Sequence, residues 1–349
     1  MKVVITTVQV PFVEGGAERC AVELKNALIK TGHTTEIITM PFMDYPPENL
    51  TNHMAAARLI NVNEGGGGVA DLCIALKFPA YFMPHDNKVI WALHQHRAVY
   101  DLFDTELSRV RDTPEGRALR DVIVRADNAY LPEAKRIYTI AENVAVRMKR
   151  YNNITATPLY HPCPGMQNFY ADAYEDYILM PSRINATKRQ SLALEALRLC
   201  KQKVHLYLVG RADQPGMEQN LRNKIREYGL ESRVRLLDFV PEEEKLELYA
   251  KARAVLFIPV DEDYGYITLE AMAAARPVIT AADSGGPLEF VQDGITGMIT
   301  QPTPEEIAKA MDELWKHKKM AKQFGEAGKK HLAEMNINWE HVVKELTRP

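Results

Sequence analysis

AVLFIPVDEDYGYITLEA, residues 254–271, decides the fold. Its first six residues, Ala254 to Pro259, are apolar and end on a proline, which predicts a short buried strand. After Gly265 the pattern changes, and Leu269, Ala271, Met272 and Ala275 recur at helical spacing. A buried strand that turns through glycine into a helix is the repeating unit of an α/β sheet, whose ligand crevice lies at the carboxyl ends of the strands. Glu262 falls in the turn and Glu270 about one turn into the helix, where both can face that crevice. Ionised carboxylates at such a place suit neutral polyols, because each accepts charge-assisted hydrogen bonds from hydroxyls. The helix N-terminus favours a phosphate.

Working outward, the same alternation fills the chain. Candidate strands in the first half are Val3 to Gln9, Thr35 to Met40, Asp71 to Leu76, Val89 to Leu93 and Arg136 to Ala141. A second series runs through Tyr177 to Pro181, Val204 to Gly210, Val234 to Leu237, Ala254 to Pro259, Val278 to Thr280 and Met298 to Thr300. Amphipathic helical runs separate most of them, so the fold class is α/β with parallel sheets flanked by helices. In the first helix Ala17, Cys20, Ala21, Leu24 and Leu28 share one face, and Gly32 stops it. Prolines 158, 162 and 164 and the polar stretch Gln167 to Glu175 suggest an interdomain hinge, with the boundary near residue 170. The expected domains are 1–170 and 171–335, with 336–349 as a last helix. Asp101 to Tyr130, rich in arginine and acids, predicts one or two exposed helices. Their basic side chains either form a solvated face or help to place a charged acceptor or a membrane surface. The glycine run Gly65 to Gly68 marks a flexible loop.

Composition narrows the function. A length of 349 residues favours two domains, and an apolar content of 46% is that of a packed globular chain. The net charge of −3, with acids and bases balanced along the first half, argues against a nucleic-acid partner. Cys20, Cys73, Cys163 and Cys200 lie far apart and without histidine partners at metal-ligand spacing, so they read as reduced packing residues of an intracellular protein. The N-terminus reads as a first strand and not a signal peptide, and no apolar run reaches the roughly 20 residues that span a bilayer. At most peripheral membrane contact is expected.

Four further segments carry chemistry. GGAER, Gly15 to Arg19, joins the first strand to the first helix. Glycines there let backbone amides approach a phosphate or sugar, although a plain strand-to-helix turn reads the same and no third glycine completes a dinucleotide fingerprint. SRINATK, Ser182 to Lys188, places Arg183 and Lys188 beyond a strand. Two preplaced cations stabilise a departing diphosphate more in the transition state than in the ground state, whereas Arg189 next to them reads as an ordinary surface charge. LVGR ends a strand at Gly210, and SGGPLE, Ser284 to Glu289, gives a second pair of glycines before an acid. His94 and His96 follow the strand VIWAL directly, at its carboxyl end and facing the cleft.

In register along residues 15 to 297, these five segments resemble the signature of the retaining glycosyltransferases of family 4, most nearly the branch of the lipid-linked-oligosaccharide mannosyltransferases. The resemblance implies the GT-B fold, two Rossmann-like domains with parallel sheets facing a central cleft. It implies transfer of a hexose from a nucleoside diphosphate sugar, GDP-mannose or a UDP-sugar, to a hydroxyl of a glycan or glycolipid acceptor. By that likeness Arg183 and Lys188 meet the diphosphate, Glu270 the ribose and Glu262 the transferred sugar. Gly210, Tyr264, Gly265 and Tyr266 complete the donor contacts, Gly15 and Gly16 approach the nucleotide sugar from the acceptor-holding domain, and His94 lies near the reacting carbon. Asp261 and Asp263 also spell the Asp-x-Asp metal motif of the GT-A fold, but their neighbours match GT-B, so no metal or other cofactor is expected. Ser182, Asp238 and Val260 stand where the family pattern usually has glycine, glycine and a small polar residue, which leaves the donor base open. Two other readings share the architecture: a nucleotide-sugar epimerase, which needs further acids near the sugar carbon, and a non-catalytic sugar-nucleotide or glycan binder.

Overall fold

The computed structural model describes residues 1–12 and 15–349. Strand β1 (Lys2–Gln9) has a nearly continuous run of buried side chains from Val3 to Val8, the pattern of a central strand covered on both faces. Around it lie β2 (Thr34–Pro41), a two-stranded hairpin of β3 (Glu64–Gly65) and β4 (Gly68–Val69), then β5 (Leu72–Lys77), β6 (Lys88–His94), β7 (Arg136–Thr139) and β8 (Thr157–Pro158). Hairpin aside, these strands form one parallel sheet in the order β2-β1-β5-β6-β7-β8. The crossovers carry α1 (Gly16–Lys30), α2 (Asn49–Leu59), α3 (Pro114–Tyr130) and α4 (Glu142–Asn152). The glycine run Gly65–Gly68 is the tip of the hairpin, where Lys2 Nζ donates to the Gly67 carbonyl at 2.7 Å.

The charged stretch 101–130 holds one mostly exposed helix, within the expectation of one or two. Only Pro114–Tyr130 is helical, started by Thr113, whose hydroxyl accepts from the Gly116 N–H. The preceding residues are turns, held where Ser108 Oγ bonds the carbonyls of Ala98 and Val110 at 3.0 Å each and Arg111 donates to Thr105 O at 2.6 Å. Nor is α3 a solvated face throughout, because Ile123 and Asp127 are buried. The Asp127 carboxylate accepts from the Tyr81 and Tyr100 hydroxyls at 2.9 and 2.5 Å.

The second sheet contains β9 (Ile178–Pro181), β10 (Leu206–Val209), β11 (Val234–Leu237), β12 (Ala254–Leu256), β13 (Val278–Ala281) and β14 (Gly297–Thr300). All are parallel, in the order β11-β10-β9-β12-β13-β14. Its helices are α5 (Gln190–Leu199), α6 (Met217–Glu227), α7 (Glu242–Lys251), α8 (Tyr266–Ala273), α9 (Pro304–Lys316) and α10 (Lys318–Glu334). Leu194 and Leu197 of α5 join Ile307, Met311 and Leu314 of α9 in one fully covered core. Truncating Leu194 to alanine there would cost about 2–5 kcal/mol, the transfer term plus the cavity.

By its contacts the chain divides into Met1–Pro164 with Ile337–Pro349, and Gly165–Asn336. The break falls between Pro164 and Gly165, ahead of the expected 170, because residues 165–176 are tied to the second sheet. Asp172 N–H donates to Ala250 O at 2.9 Å, and Phe169 packs edge-on against Tyr249 at 5.3 Å. The buried Arg276 donates to the carbonyls of Asp172, Ala252 and Ala274 and lies 3.8 Å over the Tyr174 ring. The last helix, α11 (Trp339–Thr347), belongs to the first unit. Trp339 packs on Trp91 and His161 at 6.2 and 5.6 Å, and the Tyr138 hydroxyl donates to Glu345 O at 3.2 Å.

Candidate functional site

In the second sheet the connections leave β9 toward β10 on one side, while β12 and β13 build the other side. Such a switch point opens a crevice beyond the carboxyl ends of the strands. The loops following β9, β12 and β13 are laced together there by backbone hydrogen bonds of 2.8 Å. Val260 N–H donates to Thr187 O, Asp261 N–H to Asp283 O, Glu262 N–H to Ser284 O, and Gly286 N–H back to Glu262 O. The Gly285-Gly286 step has a steric cause, since a Cβ on Gly286 would sit 2.5 Å from the Tyr264 carbonyl oxygen. Gly210 is similar: its φ is +142° and a Cβ would meet Ser182 O at 2.3 Å, so only glycine lets β10 pass close behind the loop that carries Arg183.

Lys188 and Glu262 meet on this platform. Lys188 Nζ donates to Glu262 Oε2 and stands 5.3 Å from the centre of the Phe257 ring; the two side chains are 14% and 25% exposed. The backbone of Lys188 is fixed by Asn185, whose side-chain oxygen accepts the Lys188 N–H at 3.1 Å. Arg183 is more open and pairs with Asp213 at 3.1 Å. Glu270 is held apart from that pair, on α8: the Tyr249 hydroxyl donates to it at 2.5 Å and Lys245 Nζ at 3.4 Å. Burial pulls the Lys245 ammonium down, but Glu270 and Glu242 outweigh it and its pKa stands above the ordinary lysine value. Tyr264 is buried against Phe290 and Tyr266, at 5.4 and 5.6 Å, and Gly265 precedes the first turn of α8.

Four partners are missing from the sequence reading, Lys245, Tyr249, Asp213 and Asp283, and a fifth, Arg189, has a different role from the one expected. Arg189 is no solvated charge. It grips Asp283 with two hydrogen bonds of 2.7 and 2.6 Å and is 20% exposed. A cavity of about 440 Å³ adjoins this loop, lined by Asn185, Arg189, Gln190, Glu195, Met217 and Asn220 among others; Lys188 and the two glutamates are not part of its wall.

In the first unit the candidates sit beyond β1 and β6. Gly15 caps α1 in an extended conformation and its N–H donates to Glu18 Oε2 at 2.8 Å; Gly16 is the first helical residue. Val13 and Glu14, which precede the pair, lie outside the described residues. His94 ends β6, half-buried, with Nδ1 2.6 Å from the Gln95 carbonyl oxygen. His96 packs against Phe78 and Phe42 at 5.2 and 6.4 Å. Burial, and then the neighbouring His94, push its pKa down to about 4, so it is a neutral packing group at pH 7.

A carboxylate beside a lysine, and a second carboxylate held by a tyrosine and another lysine, both at one switch point, can take a ligand that carries hydroxyls and phosphates together. Among the described residues no helix is long and apolar enough to cross a membrane.

Comparison with known proteins agrees with this geometry. Residues 168–331 match the family of glycosyl transferases group 1. An alpha-1,3/1,6-mannosyltransferase ALG2 from Dictyostelium discoideum is 36% identical over 138 residues, 38% of this chain and 32% of that protein. The Homo sapiens ALG2 is 31% identical over 170 residues, 45% of this chain and 41% of that protein. The matches thus span well under half the length of these curated relatives. Among solved structures, sucrose-phosphate synthase from Thermosynechococcus elongatus superposes with a TM-score of 0.77 at 17% identity, covering 99% of this chain and 97% of that one. Anabaena Alr3699/HepE, solved in complex with UDP-glucose, gives 0.70 at 18% identity, covering 99% and 98%. These likenesses fix the fold as GT-B, and Arg183, Lys188, Glu262 and Glu270 all lie within residues 168–331, the segment that is similar to the glycosyl transferases group 1 family.

Proposed function

We propose that the protein transfers a hexose, with retention of anomeric configuration and without a metal, from a nucleoside diphosphate sugar to a hydroxyl of a glycan or glycolipid. The observation that carries this reading is the Lys188–Glu262 pair at the β9/β12 switch point, with Arg183 beside it and Glu270 held on α8. The donor diphosphate would draw Lys188 and Arg183. Glu262, relieved of its lysine, would accept hydroxyls of the sugar, and Glu270 those of the ribose.

The bond between the anomeric carbon and the diphosphate oxygen breaks as charge gathers on the departing phosphate. Lys188 and Arg183 oppose that charge where it develops, which lowers the barrier more than it tightens ground-state binding. The acceptor oxygen bonds to the same face of the carbon, and its proton passes to the leaving phosphate, so no side-chain nucleophile is required. Likeness to the ALG2 mannosyltransferases supports mannose as the sugar, and HepE, bound to UDP-glucose, keeps a UDP-sugar in view. Gly15, Gly16 and His94 are assigned to the acceptor side, and the reaction to the cytoplasm, at most touching the inner membrane face.

Calorimetry with UDP, GDP and ADP, alone and as their common sugar conjugates, tests this on wild type and Lys188→Ala. Binding of one nucleotide that weakens on loss of Lys188 is the expected result. Absence of binding at millimolar concentration would leave the transferase reading without its physical basis.

A further inference from the structure

We infer that Arg189 and Asp283 are positioning residues for the donor diphosphate: their ion pair locks the loop carrying Arg183 and Lys188 to the loop carrying Ser284–Glu289. The inference rests on the proposed donor site and assigns it two residues that do not themselves touch the donor.

Three observations carry it. First, Arg189 has φ +58°, a left-handed conformation that an arginine adopts only at a cost, so the surrounding structure must hold it there. Second, its guanidinium meets Asp283 in a two-pronged arrangement, 2.7 and 2.6 Å, the planar geometry that gives arginine–carboxylate pairs their directionality. Third, the pair joins the two outer loops of a stack of three. The Glu262 loop lies between them and is hydrogen-bonded to both: to the first through Val260 and Thr187, and to the second through Asp261 and Asp283 and through Glu262 and Ser284. The neighbouring Gln190 anchors the rear of the first loop, donating to Ser182 Oγ and to the Arg183 carbonyl at 2.9 Å.

With the outer loops clamped, Lys188 and Glu262 are presented at a fixed separation and the donor need not order them on arrival, which is how preorganisation raises affinity. Removing the clamp leaves the backbone lacing in place. The folded protein persists, but the cation pair samples more positions.

The test is calorimetric titration of GDP and UDP into wild type, Arg189→Gly, Asp283→Ala, the double variant Arg189→Gly/Asp283→Ala, and the charge exchange Arg189→Asp/Asp283→Arg, with melting curves for each. Glycine suits the left-handed backbone at 189, so a loss in Arg189→Gly cannot be backbone strain. Aspartate also tolerates that conformation, which makes the exchange a fair rescue. Each single variant is expected to bind the nucleotide roughly five- to tenfold more weakly, at little change in melting temperature, as a partly exposed bidentate pair warrants. The double variant should be no worse than either single one, and the exchange should recover most of the loss. Unchanged affinity in folded single variants, or losses that multiply in the double variant, would overturn the clamp and leave the donor site standing. A wild type that binds neither nucleotide would overturn both.

Discussion

Replacing Glu262 with glutamine should tighten the binding of a bare nucleoside diphosphate and at the same time weaken the binding of its sugar conjugate. In the free protein Lys188 is engaged by Glu262. A diphosphate that recruits the ammonium must first break that pair, and the side chains, at 14% and 25% exposed, are too enclosed for water to replace it at no cost. A partly enclosed pair of this kind is worth about 1 kcal/mol, or roughly fivefold in a dissociation constant. Glutamine holds Lys188 only by a neutral hydrogen bond, so Kd for the preferred nucleotide should fall by up to about fivefold. The sugar responds in the opposite direction. Its hydroxyls lose a charged acceptor, and with charge-assisted bonds worth about 1.5–3 kcal/mol each, the affinity added by the sugar should shrink by at least about tenfold. Titrating nucleotide and nucleotide sugar into both proteins at one ionic strength gives the two ratios directly. If Glu262→Gln weakens the bare nucleotide, as Lys188→Ala is expected to, the exchange of partners at Lys188 is wrong and Glu262 instead supports the phosphate site.

Other expectations concern folding and pH. Gly286→Ala places a Cβ against the Tyr264 carbonyl oxygen and should destabilise the protein by about 1–3 kcal/mol and abolish nucleotide binding; Gly67→Ala, whose Cβ would meet nothing within 4 Å, is the control that should leave the denaturation midpoint unchanged. Burial, opposed by the Tyr100 and Tyr81 hydroxyls, raises the Asp127 carboxyl to about 7. The folded state therefore keeps a proton that the unfolded chain releases above its ordinary carboxylate pKa, and stability falls as pH climbs from about 4 to 7. Asp127→Asn should gain about 2–4 kcal/mol on wild type between pH 4.5 and 8; urea midpoints that run parallel across that range would refute it. His161 runs the other way. Burial beside Trp91 and Trp339 lowers it to about 3, so the unfolded chain takes up a proton below pH 6.5 that the folded one refuses. Stability is lost as pH falls from 6.5 toward 3, and His161→Phe should flatten that limb of the melting-temperature profile.

The sequence made the strands and their turns legible because both are local. β9 and β13 begin or end within a residue of their expected bounds, since a parallel strand covered on both faces must be largely apolar and must stop where the loop begins. The turn at Gly265 was legible for the same reason. The stretch 101–130 was legible in part: its exposed helix is there, but charge density cannot distinguish helix from the turns held by backbone acceptors at 101–113, and nothing in its composition announces that Asp127 lies in the core.

The site divides along the same line. Lys188, Glu262, Glu270 and Arg183 stand in short motifs, and a motif identifies which residues can do chemistry. What holds each of them comes from elsewhere in the chain: Glu270 from Lys245 and Tyr249 across one helix and one strand, Arg183 from Asp213, and Arg189 from Asp283 at a sequence separation of 94. Lys245 and Tyr249 are four apart, so they share a face of α7, but that face could serve any acid opposite it. Only the adjacency of β9, β12 and β13 in the sheet selects which loops meet. That adjacency gives Arg189 its meaning. Read in the chain it is one more basic residue after a lysine; read at the switch point it is a guanidinium aimed across an intervening loop at a carboxylate, in a backbone conformation that arginine does not choose for itself.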